Sequence, residues 1–259
     1  MIKLSAQQIE ENYNRFLKIL EESFEGERKE NLLKMYEHFG NRLLEAPASG
    51  YDFMHLACTG GYLQHALNII DLSKKMKILY EETGGIIDFT DEELVFAAMH
   101  HDLGKLGDLT NDYYVFNTSE WHRKNQGRIF DTNPKINLKS TVDRTFFILQ
   151  YFGIPYSENE MLGIRLADGA FDTINDPYFK GFGEAKEFKT HIQFVIHWAD
   201  WMTTRVERDT WKQNGKADVK AIKESFVAKT KTPNPNDLKP KNAPDPMATF
   251  KELFTSEEK

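Results

Sequence analysis

One hexapeptide limits what this chain can fold into more than any other stretch: His100-His101-Asp102-Leu103-Gly104-Lys105. It follows Glu92-Glu93-Leu94-Val95-Phe96-Ala97-Ala98-Met99, a run of good helix formers with an apolar face. Gly104 offers that helix a natural stop. The spacing predicts a buried helix whose C-terminal end delivers an imidazole, a carboxylate and, past the turn, an ammonium to one spot. Imidazole with carboxylate is a good ligand pair for a divalent transition metal. An ammonium beside such a metal suits an anionic substrate, above all a phosphate. The rest of the chain is then the scaffold that brings further ligands to this point.

The pattern on either side is helical. Ile9, Tyr13, Phe16, Leu17 and Leu20 fall at helical spacing, and Leu32, Leu33, Tyr36 and Phe39 do the same. Ser5 with Gln8 resembles a capping box. A loop carrying His55 and Cys58 leads to Gly60-Gly61, and a helix is expected from about Tyr62 to Glu82 with His65 in its first turns. Thr90-Asp91-Glu92-Glu93 opens the helix that carries the hexapeptide. Asp108 to Leu138 has no clear period and is expected as a long functional or mobile loop. Helices are expected again over Ser140–Phe152, from Ser157 to about Leu166, and roughly Lys186 to Lys212. Lys229 to Pro246, rich in Pro, Lys, Asn and Asp, is expected as an extended strap, and Ala248 to Phe254 as a short docking helix. No strand is convincing. The fold class is all-α: N-terminal helices over 1–46 packing on a core over 47–212, then a partly extended or disordered tail over 213–259.

Four positions stand out, each in an apolar helical context where an unpaired polar group is costly: His65, the pair His101-Asp102, and Asp200. Three helices that each deliver one or two ligands are how helical bundles build metal sites. A buried histidine taken alone is more often a hydrogen-bonded core residue, and an isolated His-Asp pair arises readily by chance. The longer pattern is more specific: Thr59-Gly60-Gly61-Tyr62-Leu63-Gln64-His65, then His101-Asp102-Leu103-Gly104-Lys105, then Ala199-Asp200. In these motifs the chain resembles the HD-domain superfamily of metal-dependent phosphohydrolases, over roughly Pro47 to Arg208. Ala46-Pro47-Ala48-Ser49 looks like the lead-in of nuclease-like and phage-encoded members.

The resemblance implies an HD-domain helical bundle in which His65, His101, Asp102 and Asp200 ligate one divalent metal (Mn, Fe, Co, Ni or Zn). Members with two metals add histidines before the last aspartate. Here Ala167 stands where one is expected, so a second metal is weak or absent. Asp102 would also orient the attacking water, and Lys105 would neutralise charge on the phosphate oxygens. Arg123, Lys124, Arg128, Arg144 and Arg165 are further phosphate-binding candidates, with Asp168 for a ribose hydroxyl or base edge. Charges in a polar loop are usually just solvated, and Lys105 alone could simply be a helix-terminal cation, although phosphate contact is the favoured reading. His100 is a candidate for contacting a ligand or the substrate, and His197 for orienting a ligand from the face of Asp200. His38, His55 and His191 are expected to be structural or solvated, and Phe194, Trp198 and Trp201 to be core aromatics.

Net charge is -7, which argues against a broad basic surface for duplex nucleic acid. One cysteine allows no internal disulfide and fits a reducing compartment, so a cytoplasmic protein is expected. No apolar run reaches roughly 18 residues, so no membrane span is expected. Three functions compete: a hydrolase of nucleotides or other phosphorylated small molecules, a phosphodiesterase or exonuclease on RNA, single-stranded DNA or cyclic nucleotides, and a non-catalytic, metal-stabilised interaction protein. The N-terminal helices would serve an interface if the chain is a homo-oligomer.

Overall fold

The computed structural model describes residues 4–180, 183–184 and 187–214. The expected strap and docking helix beyond residue 228 lie outside these residues. Among them the fold is all-α, with one small two-stranded sheet. Helix α1 (Ala6–Ser23) opens with the capping box expected at Ser5 and Gln8, and it buries Ile9, Phe16 and Leu20. Helices α2 (Gly26–Phe39) and α3 (Asn41–Glu45) follow, and all three share one hydrophobic core with the helices that come next.

The centre is built from α4 (Gly61–Glu82), α5 (Asp91–His100) and α10 (Ile192–Asn214), which pack on one another, with α8 (Glu158–Arg165) against α5 and α10. Thr90 and Glu93 close a second capping box at the start of α5. Every residue from Leu94 to His100 is buried. A helix apolar all round belongs in a core, so the hexapeptide emerges from the middle of the molecule.

Gly104 does not stop α5. The helix ends at His100, His101 keeps helical torsions, and a single 3-10 turn runs over Leu103–Leu106. What Gly104 provides is close approach: a Cβ there would lie 2.1 Å from the Thr141 carbonyl oxygen, at the start of α7 (Thr141–Tyr151). The Gly104 N–H donates to Thr145 Oγ1 at 2.9 Å, and Arg144 Nε donates to the Gly104 carbonyl at 2.7 Å. The turn bearing Asp102 and Lys105 is therefore clamped from behind by α7.

The segment without a period is more ordered than expected. Strands β1 (Tyr114–Phe116) and β2 (Phe130–Thr132) pair antiparallel, Tyr114 facing Thr132 and Phe116 facing Phe130, and enclose α6 (Glu120–Gln126). Three-residue strands are too short to display an alternation, which is why the sequence does not reveal them. After α8, the short helix α9 (Asp176–Phe179) leads toward α10. That last helix starts at Ile192, later than its composition suggests, because Asp88 takes the chain ahead of it: Asp88 accepts from the His191 N–H at 3.0 Å and from Thr190 Oγ1 at 3.2 Å. Trp198 and Trp201 are not core residues. They are 49% and 39% exposed on the outer face of α10. No helix among the described residues is long and apolar enough to cross a membrane.

Candidate metal centre

His65 lies in the second turn of α4, His101 caps α5, Asp102 begins the turn beyond it, and Asp200 projects from the middle of α10. Four donor atoms converge. His65 Nε2 is 3.8 Å from Asp102 Oδ2 and 3.4 Å from Asp200 Oδ1. His101 Nε2 is 3.5 Å from Asp102 Oδ2 and 4.0 Å from Asp200 Oδ1. Both histidines are buried, and the carboxylates are mostly so.

Each imidazole has its rear nitrogen engaged. His101 Nδ1 lies 2.9 Å from the Ala98 carbonyl, which can only accept, so Nδ1 carries the proton. His101 Nε2 is left as an acceptor, buried and without a hydrogen-bond partner. His65 Nδ1 donates to Glu207 Oε2 at 2.9 Å, and Asn68 Nδ2 donates to the other Glu207 oxygen at 2.7 Å. A carboxylate behind a histidine fixes its tautomer and raises its basicity toward a metal.

The electrostatics point the same way. Burial opposes charge on His65, but Glu207 and Asp200 outweigh it and push its pKa up to about 10. Burial would raise Asp102 and Asp200. Lys105 and the two histidines hold the first below the usual carboxylate range, and His65, His101 and Lys105 hold the second there. Metal-free, the cluster attracts a proton to the place where it can hold a cation.

The residues fit a divalent metal. Ligands at about 2.0–2.2 Å from an ion lie roughly 3 to 3.5 Å apart, and the four His–Asp donor pairs span 3.4 to 4.0 Å. The donor set is two neutral imidazoles and two carboxylates, and the orphaned Nε2 of His101 has no other use in the fold.

Lys105 Nζ donates to Asp102 Oδ2 at 2.6 Å and to the Ala48 carbonyl at 3.3 Å. The Pro47-Ala48-Ser49 lead-in thus anchors the ammonium beside the carboxylates. Burial lowers the Lys105 pKa and Asp102 more than restores it, so the ammonium stays charged. A small crevice between Lys105, Arg42, Tyr113 and Tyr114 borders it. Arg42 is engaged there with Asp112 and three backbone carbonyls.

Asp168 faces the cluster from the turn after α8. Burial and then Asp102 raise its pKa, although its outer side is open to solvent. His197 holds that turn: its Nδ1 bonds the Ala167 carbonyl at 2.7 Å, and its ring lies against Gly169. His197, expected to orient a ligand, instead supports the turn that carries Asp168.

The remaining candidates make other contacts in the fold. His100 is fully buried between Phe96 and Tyr36, with Nδ1 on the Phe96 carbonyl at 2.7 Å, so it faces the core rather than a ligand. Arg144 is also fully buried and holds the Gly104 and Leu138 carbonyls under the ring of Tyr113, so it is a structural clamp rather than a phosphate contact. Arg165 pairs with Asp143, Arg128 with Asp131, Lys124 with Glu120, and Arg123 with the Asn117 carbonyl. Each of these four is occupied by a neighbour on its own segment or on α7.

Two residues escape the sequence reading. Glu207 lies seven positions after Asp200, on the same face of α10 two turns later, a spacing that could have revealed it. His55, expected to be structural or solvated, is buried with its ring 4.9 Å from that of His65. No family model, curated protein or solved structure matches the chain.

Proposed function

We propose that this chain is a metal-dependent phosphohydrolase of the HD-domain type, which hydrolyses phosphate ester or anhydride bonds of a nucleotide. One observation carries the reading: each of two imidazole Nε2 atoms lies within 4.0 Å of both carboxylates, beside an ammonium bonded to one of those carboxylates. His65, His101, Asp102 and Asp200 would hold the metal. When bound, the metal supplies a water acidic enough to deprotonate near neutral pH and a positive charge for the phosphate. The identity of the ion is left open among Mn, Fe, Co, Ni and Zn by this donor set.

The protein residues do the positioning. Asp102, pinned by Lys105, would orient that water through its carboxylate. Lys105 offers its remaining N–H to a non-bridging oxygen as charge grows on it. Asp168, across the mouth, accepts a hydroxyl or amino group of the nucleoside. The buried single cysteine fits a cytoplasmic setting.

A second reading, a phosphodiesterase on single-stranded nucleic acid, has one observation in its favour. The rings of Phe171, His197, Trp198 and Trp201 follow one another at 6.3, 5.7 and 5.9 Å, starting beside the Asp168 turn. Phe171, Trp198 and Trp201 are exposed, and exposed rings are what bases stack on. The test is product release from mononucleotides, a cyclic dinucleotide and short RNA at two salt concentrations. The nucleotide reading expects turnover of the mononucleotides with little salt dependence. Turnover of the polymer alone, falling steeply with salt, replaces it with the second reading.

A further inference from the structure

His65 has a second set of partners behind it. On the side away from Asp102 and Asp200, ligand atoms of His55, His65 and Glu207 all lie within 4.8 Å of one another, and all three residues are buried. His65 Nδ1 is 2.9 Å and His55 Nε2 3.8 Å from the same oxygen, Glu207 Oε2. Neither ring nitrogen of His55 has a hydrogen-bond partner. A buried imidazole with both nitrogens idle is costly unless something unseen occupies them. Only its backbone is held, Ser49 Oγ donating to the His55 carbonyl at 2.7 Å.

We propose that His55, Glu207 and the Nδ1 edge of His65 form a second divalent-cation site, back to back with the first across a single imidazole. Two histidines and one glutamate are a donor set that zinc accepts, with a further position left for water. Binding there exchanges the His65 Nδ1 proton for the ion: the N–H bond breaks, its electron pair goes to the metal, and the proton leaves to solvent. The charges balance on each side. Glu207 and the deprotonated His65 neutralise the inner ion, while Asp102 and Asp200 neutralise the outer one. The site is independent of whether the chain hydrolyses phosphate, because it concerns ion occupancy alone.

Cobalt(II) titration of the chelator-stripped full chain tests this, followed by visible absorption and by metal content after gel filtration. The wild type is expected to retain two equivalents with two distinct sets of bands. His55→Ala and the more conservative His55→Gln should retain one equivalent and keep the bands of the outer site. Asp200→Ala should keep the inner set. A wild type that retains a single equivalent overturns the proposal whatever the variants do, and so do His55 variants that still retain two. Phosphate release, measured separately, reports on the outer site and leaves this result untouched.

Discussion

His65 Nδ1 donates to Glu207 Oε2 at 2.9 Å across 142 positions of sequence. That bond joins α4 to α10 and decides which nitrogen of His65 faces the two aspartates. Glu207→Gln removes the charge while keeping the shape. We expect metal affinity at the outer site to fall about 10- to 100-fold, as is usual when the carboxylate behind a ligating histidine is lost. A competition titration against a chelating dye measures it; unchanged affinity removes Glu207 from the account.

Arg144 offers a different kind of test, because the sequence suggests phosphate binding and the fold gives it another task. It is fully buried, and its guanidinium spans the Gly104 and Leu138 carbonyls. Arg144→Ala leaves a cavity and unpaired carbonyls and should cost about 3 kcal/mol or more of stability. Arg144→Lys should recover little, since a single ammonium cannot span two acceptors as a planar fork does. Chemical denaturation reads both. A variant that stays as stable as wild type but binds substrate poorly would restore the phosphate-contact role.

What could be read from the sequence divides along a physical line. Helices with a local cap or a clear apolar period, such as α1, α4 and α5, are written in short-range pattern, and their starts are legible to within a residue or two, whereas the end of α5 is not. The same holds for the positions of His65, His101, Asp102 and Asp200, because each sits in a motif on or just beyond a helix. Contacts between distant segments leave no such trace. Nothing near His55 announces that it packs against His65, and Arg144 looks like any helical arginine until α7 meets the Gly104 turn. The outer face of α10 misleads in the opposite direction: Trp198 and Trp201 are apolar at helical spacing, which reads as core, yet they face solvent.

The turn that carries Asp168 depends on Gly169, whose φ is +57° and whose Cα has His197 against it, 2.4 Å from where a Cβ would stand. Gly169→Ala should therefore cost more than about 1 kcal/mol and shift Asp168. The expected kinetic signature is a higher KM with metal affinity retained. Equal KM in the variant would show that Asp168 does not touch the substrate.

Stability should peak near neutral pH when metal is removed. The folded state raises His65 to about 10 from an ordinary value near 6.5. Its contribution is full below about 6.5 and is lost as pH rises through about 10. His100 works oppositely. Burial, reinforced by Arg28 and His101 against the Phe96 carbonyl, lowers it to about 3, so stability is lost as pH falls from about 6.5 toward 3. Thermal melts at pH 5, 7 and 9.5 with chelator should be highest at pH 7. Adding metal should remove the alkaline loss, since an ion then replaces the proton on His65. A chelated protein that gains stability from pH 7 to 9.5 contradicts the assignment.

His65, His101, Asp102 and Asp200 are proposed to hold a metal that hydrolyses phosphate esters. Phosphate release from a nucleotide panel by the stripped chain, with Mn, Co, Mg or chelator added and Asp102→Ala alongside, tests this assignment most directly. Release should need metal, stop with chelator and be absent in Asp102→Ala together with retained metal. Release by Asp102→Ala at the wild-type rate, or metal bound at these residues with no phosphate ester turned over, contradicts it.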